Sequence, residues 1–159
     1  ADAPGHEQYT RNMVTAASVS DVAVIVIDAS RLENGALKSQ TRRHAAVAAL
    51  MGLNVIVAVN KMDLVDWSEA RFAEARGAFQ EAASLLGLRG IAFVPVSAKG
   101  GQNVVHRGGA GWYDGPALVE LLEAQHARAD PAGAPLRLPV QLVLRDGERR
   151  FYAGRIESG

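Results

Sequence analysis

Three short, almost unbroken apolar runs punctuate the chain: "VAVIVI" from Val22 to Ile27, "VIVAV" from Val55 to Val59 and "IAFVPV" from Ile91 to Val96. They are rich in β-branched residues and too short for helices. Such runs predict strands covered on both faces, the habit of parallel sheets. Between them the period changes. From Trp67 to Leu86, the residues Phe72, Ala75, Phe79, Ala82 and Leu86 recur at three- and four-residue steps, which predicts one helical stripe. Ser68 is placed to cap that helix, and Glu69 in its first turn favours the positive end of the dipole. A second helix is expected from about Gln40 to Met51, ended by Gly52, and a third from Pro116 to about His126. Strands alternating with helices imply right-handed crossovers and a doubly wound α/β sheet. Ligands of such sheets sit beyond the carboxyl ends of the strands.

After Ala129 the texture changes. "DPAGAP" (Asp130 to Pro135) is a linker by composition. Beyond it Leu136, Leu138, Val140, Leu142 and Leu144 alternate with mostly polar neighbours, Asp146-Gly147 makes a turn, and "RFYAGRI" (Arg150 to Ile156) reads as a partner strand. A lone hairpin is marginal in water. The expected organisation is therefore an α/β domain over residues 1–129, a linker over 130–135 and the first strands of an all-β domain over 136–159.

With 159 residues the chain can bury one sizeable core. Its formal net charge is zero, so no whole-chain field draws in nucleic acid or anionic lipid. Cysteine is absent, which excludes disulfides and thiolate metal sites and is compatible with a cytoplasmic setting. The apolar runs are far too short to span a membrane, and the first residues carry no targeting pattern.

Each apolar run ends in a polar cluster: "NKMD" (Asn60 to Asp63) follows Val59, and "SAK" (Ser97 to Lys99) follows Val96. A carboxylate at Asp63 can accept two parallel N–H bonds, and guanine offers two adjacent donors on its Watson–Crick edge, where adenine does not. A site built on that pair leaves its acid unpaired with the wrong base, which discriminates by roughly 10⁴-fold. Asn60 can bind the base's other side or brace neighbouring loops. Lys61 and Lys99 can lay their stems along the purine faces. The Ala98 amide can donate to the guanine oxygen. Alone, Asn-Lys-x-Asp also reads as a turn between strand and helix; paired with Ser-Ala-Lys, it reads as a nucleotide site.

The opening "DAPGHEQYTRNM" (Asp2 to Met13) then gains a role. In phosphoryl-transfer sites of this type a carboxylate at a strand end, here Asp2, holds Mg²⁺ through a water. Gly5 lets its amide approach the γ-phosphate, Pro4 stiffens the approach, and His6 is placed to orient the attacking water. His6 would fill a place that a glutamine takes in many sites of that kind. In isolation the same stretch is a surface turn.

These motifs together resemble the translation-factor-type GTPases, the class of elongation factor Tu. "PGHEQYTRNMVT" (Pro4 to Thr15), "QTRRH" (Gln40 to His44), "VNKMDLVDW" (Val59 to Trp67), "NVV" (Asn103 to Val105), "WYDGPALVELLE" (Trp112 to Glu123) and "GRIESG" (Gly154 to Gly159) carry the likeness furthest toward one branch, the large-subunit family of sulfate adenylyltransferase. The resemblance implies a P-loop-GTPase-type, mostly parallel sheet followed by a β-barrel domain. It also implies GTP and Mg²⁺ as ligands and a small adenylyltransferase subunit as partner. GTP hydrolysis would there be coupled to formation of adenosine 5′-phosphosulfate from ATP and sulfate. The competing expectation is an elongation factor delivering aminoacyl-tRNA, which Glu7-Gln8-Tyr9-Thr10-Arg11 argues against. A third is an interaction remnant without nucleotide preference.

The sequence departs from the class pattern at one point: no GxxxxGK[ST] occurs in it. The phosphate loop and first switch are expected upstream of Asp2, which makes the chain read as an internal segment with negligible hydrolysis on its own. The loop "SRLENGALKS" (Ser30 to Ser39) is longer than usual. His44 is expected on a solvated helix face, the alternative being a place near a domain or subunit interface; Arg42 and Arg43 are expected on a wet surface, and Trp112 and Tyr113 to pack at a helix start. His106 and His126 have no partners at metal-ligand spacing.

Overall fold

The computed structural model describes residues 10–32, 37–125 and 134–159. The chain divides into two units, Ala1–Gln125 and His126–Gly159.

The first unit is built on the three apolar runs. They form β1 (Val22–Asp28), β2 (Asn54–Asn60) and β3 (Ala92–Pro95), parallel and in the order β1-β2-β3. β2 sits in the middle because its run, Val55 to Val59, is the one buried along its whole length. Alternate residues serve opposite faces. Val55, Val57 and Val59 join Ile25 and Ile27 of β1 in a core with Phe72, Ala75, Phe79 and Ala83, whereas Ile56 and Ala58 pack with Val94 and Val96 and with Leu118 and Leu121.

Coverage on both faces holds for β2 but not for β1. Val24 and Val26 pair with Ile56 and Ala58 yet remain 39% and 57% exposed, because the helix that covers β2 and β3 does not reach across β1. An open groove of about 400 Å³ runs along β1, the edge strand of the described sheet, lined by Met13, Ala17, Val24, Val26, His44 and Leu53.

Four helices accompany the sheet among the described residues. The first, α1 (Thr10–Ala17), begins within the stretch from Pro4 to Thr15 that carries the resemblance, and no helix was expected there; Met13 and Ala17 pack on the core. The expected Gln40–Met51 helix is α2 (Ser39–Leu50), and the turn after it uses Gly52 at φ 65°. In α3 (Glu69–Leu85), Ser68 caps as expected, its hydroxyl accepting from the Arg71 amide at 3.3 Å. The buried stripe is Phe72, Ala75, Phe79 and Ala83, one step away from the expected Ala82 and Leu86. Leu86 falls at the cap, where the chain turns through Gly87, and Leu88 packs on the core instead. The last, α4 (Leu118–Glu123), is shorter than expected: Glu120 reaches back to the Ala117 amide at 2.6 Å, which fixes the start after the extended Ala117.

In the second unit β4 (Leu142–Asp146) and β5 (Arg149–Ala153) form an antiparallel hairpin, with Gly147 at φ 59° in its turn. Every residue of both strands is exposed. The expected strand from Leu136 onward does not form over 136–141. Instead Arg137 pairs with Ser158 in an isolated bridge, and the buried Ser158 hydroxyl donates to the Pro135 carbonyl at 2.7 Å.

Candidate functional site

Parallel strands deliver their carboxyl ends to one edge of the sheet, so Asp28 and Asn60, register partners in β1 and β2, stand beside Ser97, just beyond β3. At the end of β2 the chain takes a left-handed step at Lys61 (φ 63°) and enters a 3₁₀ turn, Met62–Val65. Met62 is fully buried and its amide donates to the Val96 carbonyl at 3.2 Å, which anchors the turn to the strand carrying Ser-Ala-Lys.

Asn60 performs the bracing role of the two that the sequence left open. Its Oδ1 accepts from the Lys61 amide at 2.7 Å and from the Ala98 amide at 3.0 Å, so one side chain clips both loops together. The Ala98 amide, expected to face a guanine oxygen, is thereby engaged inside the protein, and a base oxygen would have to share or replace that bond. Ser97 is buried, its hydroxyl accepting from the Gly100 amide at 3.2 Å. Asp63 and Lys99 are exposed, and nothing among the described residues pairs with the Asp63 carboxylate. The arrangement is a braced pair of loops with an open acid at its lip.

Sequence reasoning missed Asp28. Its Oδ2 lies 2.7 Å from the Lys61 ammonium, and its Oδ1 accepts from the Ser30 amide at 3.0 Å and the Ser30 hydroxyl at 2.6 Å. Burial, the largest single influence, pushes this carboxyl upward. The hydrogen bonds from Lys61 and Ser30 and the lysine's charge together outweigh it and hold the group below the usual carboxylate range. The available signal was a carboxylate closing an apolar run, the same place that Asn60 occupies one strand over. Arg71 on α3 steadies this corner, donating to the Ala29 carbonyl at 3.0 Å while pairing with Glu74 at 2.6 Å.

The two loops meet again farther out. Trp112 donates its indole N–H to the Trp67 carbonyl at 2.7 Å and packs against Phe72 at 5.2 Å between ring centroids. Tyr113 donates to the Pro116 carbonyl at 2.9 Å. Both aromatics therefore pack as expected. Gly109, at φ 93°, lies so close to the Trp67 indole that a methyl group there would overlap the ring. Gly109→Val is thus expected to push apart the loops that follow Asn-Lys-x-Asp and Ser-Ala-Lys, lowering stability by about 2–3 kcal/mol. A chemical-denaturation curve that superimposes on the parent's would refute it.

Asp2, Gly5 and His6 lie outside the described residues, as does His126. Among the described residues no group of three His, Asp or Glu converges as a metal site. His44 is not on a solvated face. It is half-buried and lines the groove beside β1, and burial, followed by the charge of Arg43, lowers its pKa.

The profile of the family described as "Elongation factor Tu GTP binding domain" matches residues 1–130. Sulfate adenylyltransferase subunit 1 of Rhizobium meliloti (strain 1021) is 49% identical over all of this chain and 32% of its own length. Bifunctional enzyme NodQ of Azospirillum brasilense is likewise 49% identical, over all of this chain and 26% of its own length. The chain thus spans about a third or less of the curated relatives it matches. In fold it is similar to translation elongation factor SelB of Methanococcus maripaludis, solved in complex with the GTP analogue GppNHp, with a TM-score of 0.55, 24% identity, and coverage of 99% of this chain and 32% of that one.

Proposed function

Because the chain belongs to the family of elongation factor Tu GTP-binding domains, we propose that it binds Mg²⁺-GTP and serves as the GTPase subunit of a sulfate adenylyltransferase. One observation carries the nucleotide half of this reading: Asn60 clips the Ala98 amide at 3.0 Å while the Asp63 carboxylate stands open beside it. That geometry suits a purine inserted edge-on. Asp63 accepts from the N–H and amino group of guanine, the stems of Lys61 and Lys99 flank the ring, and Asn60 keeps both loops in register. Gly5 would admit the γ-phosphate and His6 would orient the attacking water. Asp2, a hard oxygen donor of the kind Mg²⁺ takes, would hold the ion through a water; bound there, the ion supplies charge neutralisation to the phosphates.

The sulfate half is supported by the names of relatives that match along the whole chain at 49% identity. On this reading a small adenylyltransferase subunit forms adenosine 5′-phosphosulfate and pyrophosphate from ATP and sulfate in the cytoplasm. Hydrolysis of GTP on this subunit drives that unfavourable step. Delivery of aminoacyl-tRNA is not favoured by those relatives. No helix among the described residues is long and apolar enough to cross a membrane.

Co-expression of the full-length gene product with a small adenylyltransferase subunit provides the test. The pair should co-purify, and GTP should raise the yield of adenosine 5′-phosphosulfate from ATP and sulfate. A complex whose yield is indifferent to GTP, or a product that co-purifies with tRNA alone, would overturn the assignment.

A further inference from the structure

We propose that Asp28 is a positioning residue for nucleotide binding: its pairing with the Lys61 ammonium holds the lysine stem stretched across the ends of β1 and β2, as a ledge for the base. This inference rests on the guanine-nucleotide reading above and names a residue which that reading does not use.

Both ends of the Lys61 side chain are pinned. The left-handed backbone at φ 63° sets where the stem begins, and the 2.7 Å contact with Asp28 sets where it ends. Asp28 is itself fixed by the Ser30 amide and hydroxyl, at 3.0 and 2.6 Å. The turn that follows is clipped to α3 by Arg71, whose guanidinium donates to the carbonyls of Ala29 at 3.0 Å and Leu32 at 3.5 Å. An unbroken line of short contacts therefore runs from α3 through the end of β1 to the lysine beside Asp63.

A surface ion pair held only for stability would not need such support. The pair is 43% exposed on the lysine and 23% on the aspartate, and pairs this open contribute little to folding. What it does supply is order in a long side chain before a ligand arrives. Ligand binding then has less freedom left to remove, which raises affinity. The carboxylate draws the ammonium away from the base and leaves the methylene stem, the part that packs on a purine face, lying along the strand ends.

The test measures a fluorescent GDP derivative, displaced by GDP or ADP, on the full-length gene product. Asp28→Asn keeps the shape and removes the charge; it should weaken GDP binding about tenfold with the thermal midpoint little changed. In a Lys61→Met background, where no ammonium remains to hold, the same substitution should change affinity less than about twofold. Asp28→Glu should recover most of the loss, and Asp28→Ser, which also removes the charge but keeps an acceptor near Ser30, takes the place of the asparagine variant if that one fails to fold. Unchanged GDP affinity in Asp28→Asn, an equal loss in the Lys61→Met background, or a glutamate variant as weak as Lys61→Met would each overturn the proposal. A parent protein that prefers GDP while ignoring Asp28→Asn would sink this inference alone. A parent that does not prefer GDP to ADP would sink the guanine reading and this inference with it.

Discussion

Replacing Asp63 with asparagine is expected to erase most of a preference of roughly 10⁴-fold for guanine over adenine nucleotides, the size of penalty attached to burying polar groups without partners. The carboxylate is acceptor-only and can take both the ring N–H and the exocyclic amino group of guanine. Asparagine keeps one acceptor and turns its amide N–H₂ toward the amino group, donor against donor. The same amide matches xanthine, which carries a carbonyl where guanine has the amino group. Xanthosine nucleotides should therefore gain affinity as guanosine nucleotides lose it. Asp63 is exposed and its carboxylate pairs with nothing among the described residues, so folding should be unaffected. Competition binding with GDP, xanthosine diphosphate and ADP on the full-length gene product reads all three outcomes. Selectivity that survives the substitution would remove the basis for reading this site as one for guanine.

What could be read in the sequence was whatever depends on neighbours along the chain. The apolar runs of β1, β2 and β3, the Ser68 cap and the polar clusters after Val59 and Val96 are all local patterns. What could not be read depends on residues brought together by crossovers. Asp28 meets Lys61 only because β1 and β2 lie parallel and end together, and Asn60 meets Ala98 only because β3 lies on the other side. The exposure of Val24 and Val26 is of the same kind. An apolar run records what a residue tolerates, while the cover over it is supplied by elements elsewhere. Helix α1 is too short for its stripe to stand out in the sequence: among its described side chains, Met13 and Ala17, one turn apart, pack on the core.

Asn103, part of the Asn-Val-Val resemblance in the sequence, is a buried junction bonded to both sides of the Ser-Ala-Lys loop. Its Nδ2 donates to the Pro95 carbonyl at 2.9 Å, and its Oδ1 accepts from the Gly108 amide at 2.7 Å. Its backbone N–H donates to His106 at 3.0 Å, and its carbonyl accepts from Leu118 at 2.9 Å. The residue is 1% exposed and sits at φ 54°, a conformation asparagine tolerates better than alanine does. Asn103→Ala would leave the Pro95 carbonyl and the Gly108 amide without their partner and force alanine into the left-handed region. About 1–3 kcal/mol for each of the two stranded groups and about 1 kcal/mol for the backbone predict a loss of about 3–7 kcal/mol. Asn103→Gly removes the same two bonds without the backbone cost, so it should be milder by about 1 kcal/mol. Asn103→Asp keeps an acceptor for Gly108 but turns an oxygen on the Pro95 carbonyl and buries a charge, so it should be no better than alanine. Urea unfolding midpoints of the three variants order these effects. Alanine within about 1 kcal/mol of the parent would show that the junction does not hold the loop, and glycine no milder than alanine would show that the left-handed backbone at Asn103 carries no cost. Because Ser97, Ala98 and Lys99 lie between Pro95 and Asn103, the molecules that remain folded should also bind GDP more weakly. That loss of affinity separates a junction serving the site from one serving only the core.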